Sequence, residues 1–585
     1  MGGVFSEEGD RLIVTEEKLM AKFPELLNEM SKYEKPEKYL KYGTAGFRDV
    51  AGILSSAMQR MGMIAALRSI KLKGQAVGVM VTASHNPESD NGVKVIDADG
   101  KMLVESWEKY AEALVNADTA QIPGVLAQLC TDQQINLDSN ITPRCFLGRD
   151  TRMHSRHYAD LVREGVELLP GAWVLDLGQM TTPIMHFVCL KTNEEGLRGG
   201  EWFEEDGYYN ALGGGYVELL QTLPEDEEHS HLHMEHFLDA ANGIGGLKIQ
   251  HMWMWLQEKA LDSGIETFQL EVFNNVGDGP LNHQCGSDFV LTTKQPPANL
   301  PLPKTQLLGK RLMSVDGDGD RGIFSYFTPQ GQFRVLDGDK WAVLVSTFLK
   351  ETLEAADLAS KFTLGVVQTA YSNGATIKYF EDHGIPTAIT KTGVKYLHAK
   401  AETFDVGVYC EPNGHGTVLF SKMLQKHLAE MVTWGLDAGK TTAAQRLMAV
   451  HNCVNPAVGD ACSMLLLSDG VLAIKAMDYD GWDAMYEELP SRLAKLEVED
   501  KGAVATSEDQ SQVVAPVELQ GELDDLMKAY PQGRCFVRPS GTENVVRVYA
   551  EAETQRAADA LALAAVQAVH ARCGGVGRRP AKLEF

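Results

Sequence analysis

Thiol pairs, cationic surface and long apolar runs are all scarce in this 585-residue chain. Its nine cysteines (Cys130, Cys145, Cys189, Cys285, Cys410, Cys453, Cys462, Cys535 and Cys573) are scattered. None forms a C-x-x-C pair, which argues against a thiolate zinc site. A sparse, odd set suits a reducing compartment. Lys and Arg total 54 against 80 Asp and Glu, for a net charge of −26. That deficit excludes broad binding to nucleic acid or to an anionic membrane surface, yet a few focused cations can still hold a small anionic substrate. No apolar run is long enough to cross a bilayer, and no apolar secretory segment stands near the start. The opening MGGVFS fits the N-myristoylation pattern through Gly2 and Ser6, but Glu7, Glu8 and Asp10 follow. One acyl chain beside an acidic stretch binds membranes poorly, so the match is read as chance and the expected location is cytoplasmic. G-x-S-x-G is also missing, which removes an α/β-hydrolase elbow.

What is present is globular: 44% hydrophobic and 23% charged residues, in a length that suggests about four domains. Four segments share one grammar, a short apolar run followed by a small, polar or charged loop. They are AVGVMV (76–81) before TASHNP, LMSV (312–315) before DGDGDR and GIFSYF, DVGVYC (405–410) before EPNGHG and TVLF, and CFV (535–537) before RPSGTEN and VVRVY. The runs have strand length and β-branched content, and helical patterns such as 557–571 lie between or beyond them. Alternation of this kind predicts α/β domains with parallel or mixed sheets, whose ligands bind at loops beyond strand ends. Because the loops are spread along the whole chain, the site is expected in a cleft between domains. Boundaries are expected near 196–215, 331–339 and 497–512. Residues 225–236 carry His229, His231, His233 and His236 in an acidic stretch and are read as solvated surface rather than a metal site.

The most chemical stretch is 316–321, DGDGDR. Asp316, Asp318 and Asp320 alternate with glycines that let a tight loop turn their oxygens to one centre, and hard oxygen ligands suit magnesium. An EF-hand would need Gly and Glu where Arg321 and Phe327 stand, so calcium of that type is out. The bland alternative is an acidic turn between strands. Ser84 in TASHNP can act as a nucleophile beside His85 or a lysine, or sit in an ordinary turn. Arg538, Pro539, Ser540, Gly541 and Thr542, with Arg547 beyond, read as a phosphate cradle or a polar hairpin. Glu411, Pro412 and Asn413 offer the mixed acceptors and donors that sugar hydroxyls need, or simply a turn. Residues 435–441 imitate a P-loop with one residue too few between the glycines, and helical sequence precedes them, so nucleotide binding is set aside.

Taken in order and spacing, these four loops resemble the α-D-phosphohexomutase superfamily. GTAGFR (43–48), NGVK (91–94), GRDTR (148–152) and KTGVK (391–395) extend the resemblance over nearly the whole chain. GVVQTAYSNGA (365–375), VGDA (458–461) and the E-x-N-G-H-G-T loop are most similar to its eukaryotic amino-sugar branch. The resemblance implies three related mixed-sheet α/β domains plus a smaller C-terminal α+β domain around a central cleft, divided as 1–195, 196–330, 331–480 and 481–585. It implies interconversion of N-acetylglucosamine 6-phosphate and 1-phosphate, through a phosphoserine and a 1,6-bisphosphate, feeding UDP-N-acetylglucosamine synthesis. Ser84 would carry the phosphoryl group, and one Mg²⁺ per chain would sit on Asp316, Asp318, Asp320 and the Ser84 phosphate. Glu411, Pro412 and Asn413 would bind sugar, and Arg538, Pro539, Ser540, Gly541, Thr542 and Arg547 the distal phosphate. Arg48, Lys94, Arg321 and Lys391 are supporting cations, and His85, Lys94 and Lys391 are candidates for the general base. Partners are the phosphosugar and its bisphosphate; no nucleic acid, membrane span or obligate protein partner is indicated. Two departures stand out. Pro412 lacks an N–H where the superfamily more often has Ala, and Gly319, also commonly Ala, is expected to loosen the metal loop slightly. The alternatives are glucose or mannose phosphate as substrate, a magnesium-dependent sugar phosphatase, or a non-catalytic binding protein.

Overall fold

The computed structural model describes residues 12–44, 46–196, 202–224, 235–435, 437–540 and 545–583. The expectations for Gly2, Ser6, His229, His231, His233, Gly541 and Thr542 lie outside the described residues.

A first sheet holds β1 (Phe47–Val50), β2 (Ala76–Val81), β3 (Asp90–Ile96), β4 (Arg144–Arg149) and β5 (Trp173–Gln179), in the order β1-β3-β2-β4-β5. A second holds β6 (Glu235–Asp239), β7 (Gln269–Phe273), β8 (Arg311–Val315), β9 (Gly322–Phe327) and β10 (Phe333–Leu336), in the order β10-β9-β8-β6-β7. A third holds β11 (Leu364–Thr369), β12 (Thr387–Thr390), β13 (Val406–Cys410) and β14 (Gly416–Phe420), in the order β12-β11-β13-β14.

The three sheets repeat one plan. Three parallel strands end in β2, β8 or β13, and each of these pairs antiparallel with the next strand in sequence: β3, β9 or β14. TASHNP, DGDGDR and EPNGHG are therefore equivalent hairpin loops, each leaving the last parallel strand of its sheet. The strands beneath them read as near-continuous apolar runs because both faces are covered. All six residues of β2 and of β9 are buried, as are all five of β8 and of β13.

The C-terminal sheet is antiparallel. It holds β15 (Ser491–Glu497), β18 (Arg534–Pro539) and β19 (Val545–Glu551), with a separate short pair β16 (Ala505–Thr506) and β17 (Val513–Ala515). The helix Gln555–Arg572 packs its Ala- and Leu-rich face on that sheet. Its docking to the third sheet runs through buried Glu551, which accepts from Arg534 Nε at 2.8 Å and from the Gly374 N–H at 2.9 Å.

Within the expected boundary stretch 196–215, residues 205–215 belong to the helix Glu205–Leu220, where Gly213 lets the Trp255 ring approach and Gly215 lets the backbone at Asn452 and Cys453 approach. One sequence expectation changes. His236 is not solvated. It lies in β6 and is buried, and its Nε2 pairs with Asp469 at 2.8 Å, where Arg311 Nη1 at 2.7 Å and the Tyr216 hydroxyl at 2.6 Å also converge. Among the described residues no helix is long and apolar enough to cross a membrane.

Candidate active site

The Ser84 loop is held by side chains that reach its backbone. The Ser84 N–H donates to Thr82 Oγ1 at 3.0 Å, and the Thr82 hydroxyl donates to Asp150 at 2.8 Å. Arg152, whose side chain is fully buried, pairs with Asp150 at 3.0 Å. It also donates to the carbonyls of Ser84 (3.0 Å), Asn86 (2.8 Å), Asp90 (2.9 Å) and Pro87. Ser84 itself sits at φ 52°, in the left-handed region that a non-glycine residue takes only when its surroundings force it.

The aspartate loop is held by helix ends. The first N–H groups of the helices Thr182–Glu195, Ile244–Ser263 and Ala461–Ile474 donate to the carbonyls of Asp318 (3.0 Å), Gly317 (3.2 Å) and Gly319 (3.1 Å). Those N–H groups have no partner within their own helices, so the loop satisfies them and is fixed in return. Gly319 takes φ 75°, and a Cβ there would stand 3.0 Å from Thr181 Cγ2. That backbone conformation favours glycine at this position.

These two loops meet. Ser84 Oγ donates to Asp316 Oδ2 at 2.6 Å, across 232 residues of sequence. Oxygens of Asp316, Asp318 and Asp320 lie within 4.8 Å of one another, all buried. Asp318 Oδ2 receives the Thr182 hydroxyl at 2.7 Å and faces Lys94 Nζ at 3.4 Å. Asp318 Oδ1 and Asp320 Oδ1 are buried without a hydrogen-bond partner among the described residues. Orphaned carboxylate oxygens aimed into one small space are the donor set a hard divalent cation takes, so the residues fit magnesium.

The charges agree with this. Burial, then the Asp320 and Asp318 charges, push the Asp316 carboxyl well above the usual range. Burial would also raise Asp318, but Lys94, the Thr182 hydroxyl and a hydrogen bond from Asp316 together hold it below its ordinary value. Three crowded carboxylates repel one another, and of the three Asp316 is the one whose ionised form is most disfavoured. Lys94 Nζ also lies 3.6 Å from Asp320, and Arg321 Nε lies 3.9 Å from the same carboxylate. Arg48 is lowered by burial and by Arg321, and raised in part by the three aspartates. His85 Nδ1 lies 3.5 Å from Ser84 Oγ, and Arg321, burial and Arg48 push its pKa down to about 2, so this imidazole stays neutral at pH 7.

The third loop packs against the second. Gly322 N–H donates to the Gly414 carbonyl at 3.2 Å, and His415 Nδ1 lies 3.7 Å from Asp320. Asn413 Nδ2 donates to Glu411 at 3.2 Å, and the Asn413 amide oxygen accepts the His415 N–H at 3.0 Å. The turn closes from the Gly414 N–H to the Glu411 carbonyl at 2.9 Å, so it needs no N–H at Pro412, whose carbonyl accepts the Gly338 N–H at 3.2 Å.

The cradle residues gather separately, on the C-terminal sheet. Arg538 and Arg547 are paired positions of β18 and β19, Pro539 ends β18, and the Ser540 N–H bonds the Val545 carbonyl at 2.9 Å. Arg538 donates to the Tyr371 hydroxyl (2.9 Å) and to Gln510 Oε1 (3.1 Å), an oxygen that also takes the Thr392 N–H at 3.2 Å. Gln510 thus links the cradle to the KTGVK loop, where Lys391 Nζ lies 3.9 Å over the Tyr396 ring. Ser84, the aspartates, Arg48, His85, Lys94 and Arg321 form one cluster, with Glu411 and Asn413 on the loop packed beside it. Lys391 stands with the cradle. Sequence reasoning missed Thr182, Asn282 and His415 and gave Arg152 no role. GRDTR pointed at Arg152 and E-x-N-G-H-G-T at His415, but nothing in the sequence marked the other two.

Three mixed α/β units with a smaller antiparallel one, meeting at a serine and an aspartate triad, define an α-D-phosphohexomutase. Family models match residues 337–477 ("Phosphoacetylglucosamine mutase AMG1, domain III") and 202–323 (domain II of the same). Two more match 55–122 and 493–568 ("Phosphoglucomutase/phosphomannomutase", alpha/beta/alpha domain I and C-terminal domain). The phosphoacetylglucosamine mutase of Sus scrofa is 43% identical over 92% of this chain and 96% of its own length, and that of Saccharomyces cerevisiae is 39% identical over 87% and 92%. The chain belongs to the phosphoacetylglucosamine mutase family. A crystal structure of the Aspergillus fumigatus enzyme with GlcNAc-6P and magnesium superposes with a TM-score of 0.85 at 34% identity, covering 94% of this chain and 99% of that one. A substrate complex of another N-acetylglucosamine-phosphate mutase gives 0.84 at 37% identity, covering 93% and 99%.

Proposed function

We propose that this chain interconverts N-acetyl-D-glucosamine 6-phosphate and N-acetyl-α-D-glucosamine 1-phosphate, with Ser84 as the phosphoryl carrier. The observation that supports it most is the Ser84 oxygen 2.6 Å from Asp316, inside a buried carboxylate triad. In each cycle the bond between phosphorus and Ser84 Oγ breaks as a sugar oxygen bonds to phosphorus, giving a 1,6-bisphosphate. That intermediate turns over in the cleft, and its other phosphate returns to Ser84. Asp316, Asp318 and Asp320 would hold one magnesium, which when bound withdraws charge from the transferring phosphoryl and stabilises the serine oxygen as it leaves. Lys94, Arg321 and Arg48 offset the carboxylates, so a phosphate dianion can enter a site lined by acids. Glu411 and Asn413 bond sugar hydroxyls in either orientation. Arg538, Ser540 and Arg547 cradle whichever phosphate is distal, and one cradle serves both poses because the sugar, not the site, inverts.

We further propose four domains, one around each large sheet. The second extends to Leu336, beyond the expected boundary at 330, because β10 pairs with β9.

The test is ³¹P NMR on the full chain with magnesium, N-acetylglucosamine 6-phosphate and a trace of bisphosphate. The 1-phosphate should accumulate, faster than from glucose or mannose 6-phosphate, and Ser84→Ala should abolish turnover while still binding substrate. Inorganic phosphate without 1-phosphate, or an active Ser84→Ala protein, refutes the reading.

A further inference from the structure

We propose that Asn282 is a positioning residue for phosphoryl transfer: its amide, with the Arg152 guanidinium, fixes the left-handed backbone at Ser84 and hence the place of the reacting oxygen. This rests on Ser84 being the phosphoryl carrier.

The carbonyls of Ser84 and Asn86 are each held twice. Arg152 Nη2 donates to them at 3.0 and 2.8 Å, and Asn282 Nδ2 at 2.9 and 3.0 Å. The two donors come from different bodies. Arg152 follows β4 in the unit that carries Ser84. Asn282 lies between β7 and β8, in the unit that carries the aspartates. Its own N–H donates to the Ala241 carbonyl at 2.9 Å, and three residues on, the Ile244 N–H holds Gly317 in the aspartate loop at 3.2 Å. Asn282 therefore sets the serine loop against the frame that sets the metal loop. The junction has no slack. A Cβ at Gly317 would stand 2.8 Å from the Ser84 carbonyl, 3.1 Å from Asn282 Nδ2 and 3.2 Å from Leu281 Cδ1.

A strained turn persists only where neighbours over-determine it. Ser84 must regain one geometry in every half-reaction, alternately free and phosphorylated. A misplacement of about 1 Å at a reacting oxygen costs roughly 100-fold in rate. The sugar and distal-phosphate residues lie elsewhere, so binding should not follow.

Two substitutions keep the backbone, since Asn282 itself is at φ 57°. Asn282→Asp retains shape and left-handed tolerance but turns an acceptor toward two carbonyls. Asn282→Gly removes the side chain. In the full chain, kcat for N-acetylglucosamine 6-phosphate should fall about 10- to 100-fold in both, with KM, Mn²⁺ affinity and Tm close to the unsubstituted protein. Asn282→Asp decides the matter. Unchanged kcat overturns the proposal, and so does a loss of kcat matched by equal losses in KM or Mn²⁺ binding, which would mark a general scaffold role. Ser84→Ala run in parallel separates the two layers. Turnover that survives it refutes the carrier, whereas an inactive Ser84→Ala beside a fully active Asn282→Asp refutes the clamp alone.

Discussion

Replacing Thr182 by valine removes one oxygen and almost no volume at a fully buried position. The Thr182 N–H keeps its 3.0 Å bond to the Asp318 carbonyl, so the backbone anchor survives. What goes is the 2.7 Å hydroxyl bond to Asp318 Oδ2, the contact that leaves Oδ1 free of any hydrogen-bond partner among the described residues. A hydrogen bond to a charged group contributes roughly 1.5–3 kcal/mol. Lys94 remains 3.4 Å from the same oxygen, so the lower end applies, about 1.5–2 kcal/mol. At 1.4 kcal/mol per decade that is roughly a 10- to 30-fold loss of Mg²⁺ affinity, inside the range known for outer-shell partners of metal ligands. A freed carboxylate is also more basic, which favours the cation, but Lys94 still damps that gain while nothing replaces the lost orientation. Isothermal titration with Mg²⁺, or Mn²⁺ binding followed by EPR, reads the effect directly. Thr182→Ser should restore affinity because it restores the donor. Unchanged affinity in Thr182→Val, or equal loss in the serine variant, would refute the reasoning.

Arg538→Met should raise KM for the phosphosugar about 10- to 100-fold, the worth of one or two charge-assisted hydrogen bonds, and leave Mg²⁺ affinity unchanged; steady-state kinetics beside a metal titration checks the split. Glu488 gives a pH signature away from the chemistry. Burial, then Asp337, raises its carboxyl to about 7, and its Oε1 is sealed without a hydrogen-bond partner among the described residues. A carboxyl with a raised folded pKa contributes its full stability below the unfolded value near 4.5 and loses it as pH rises through about 7. Glu488→Gln should therefore be the more stable protein at pH 8, by at most about 3 kcal/mol, and lose that advantage toward pH 4. Thermal melts across that range that run parallel would contradict it.

The strands under the three site loops were legible because burial on both faces removes the alternation that would otherwise blur short apolar runs. AVGVMV became β2 and GIFSYF became β9 without a residue of error. The loops were legible because their chemistry is local: three aspartates in five residues announce themselves. Thr182 and Asn282 were not, and the reason is physical. Each acts by side-chain bonds to groups more than a hundred residues away, 136 for Thr182 and 198 and 196 for Asn282, a relation that leaves no periodicity, spacing or composition in the chain. The role of the glycines in 205–215 was illegible for a related reason. They are there for close approach by Trp255 and by the backbone at Asn452 and Cys453, and sequence alone cannot tell a glycine chosen for contact from one chosen for a bend.

The repeated plan explains why residues so far apart in sequence form one site. In each of the three mixed sheets the last parallel strand ends at a hairpin whose return strand is antiparallel, so the loop is short, tied at both ends and carried at the same corner of its unit. Packing the units corner to corner brings three such loops together without a long excursion from any of them. Each has specialised: a hydroxyl on the first, carboxylates on the second, a glutamate and an amide on the third. A single-domain enzyme would have to grow these functions on one sheet, where only one or two loops share a corner. The arrangement also places rigidity where phosphoryl transfer needs it, between the serine and the aspartates. The cradle stands apart on the C-terminal sheet, docked through Glu551 and Gln510, and shares no hydrogen bond with the 2.6 Å contact at the centre among the described residues.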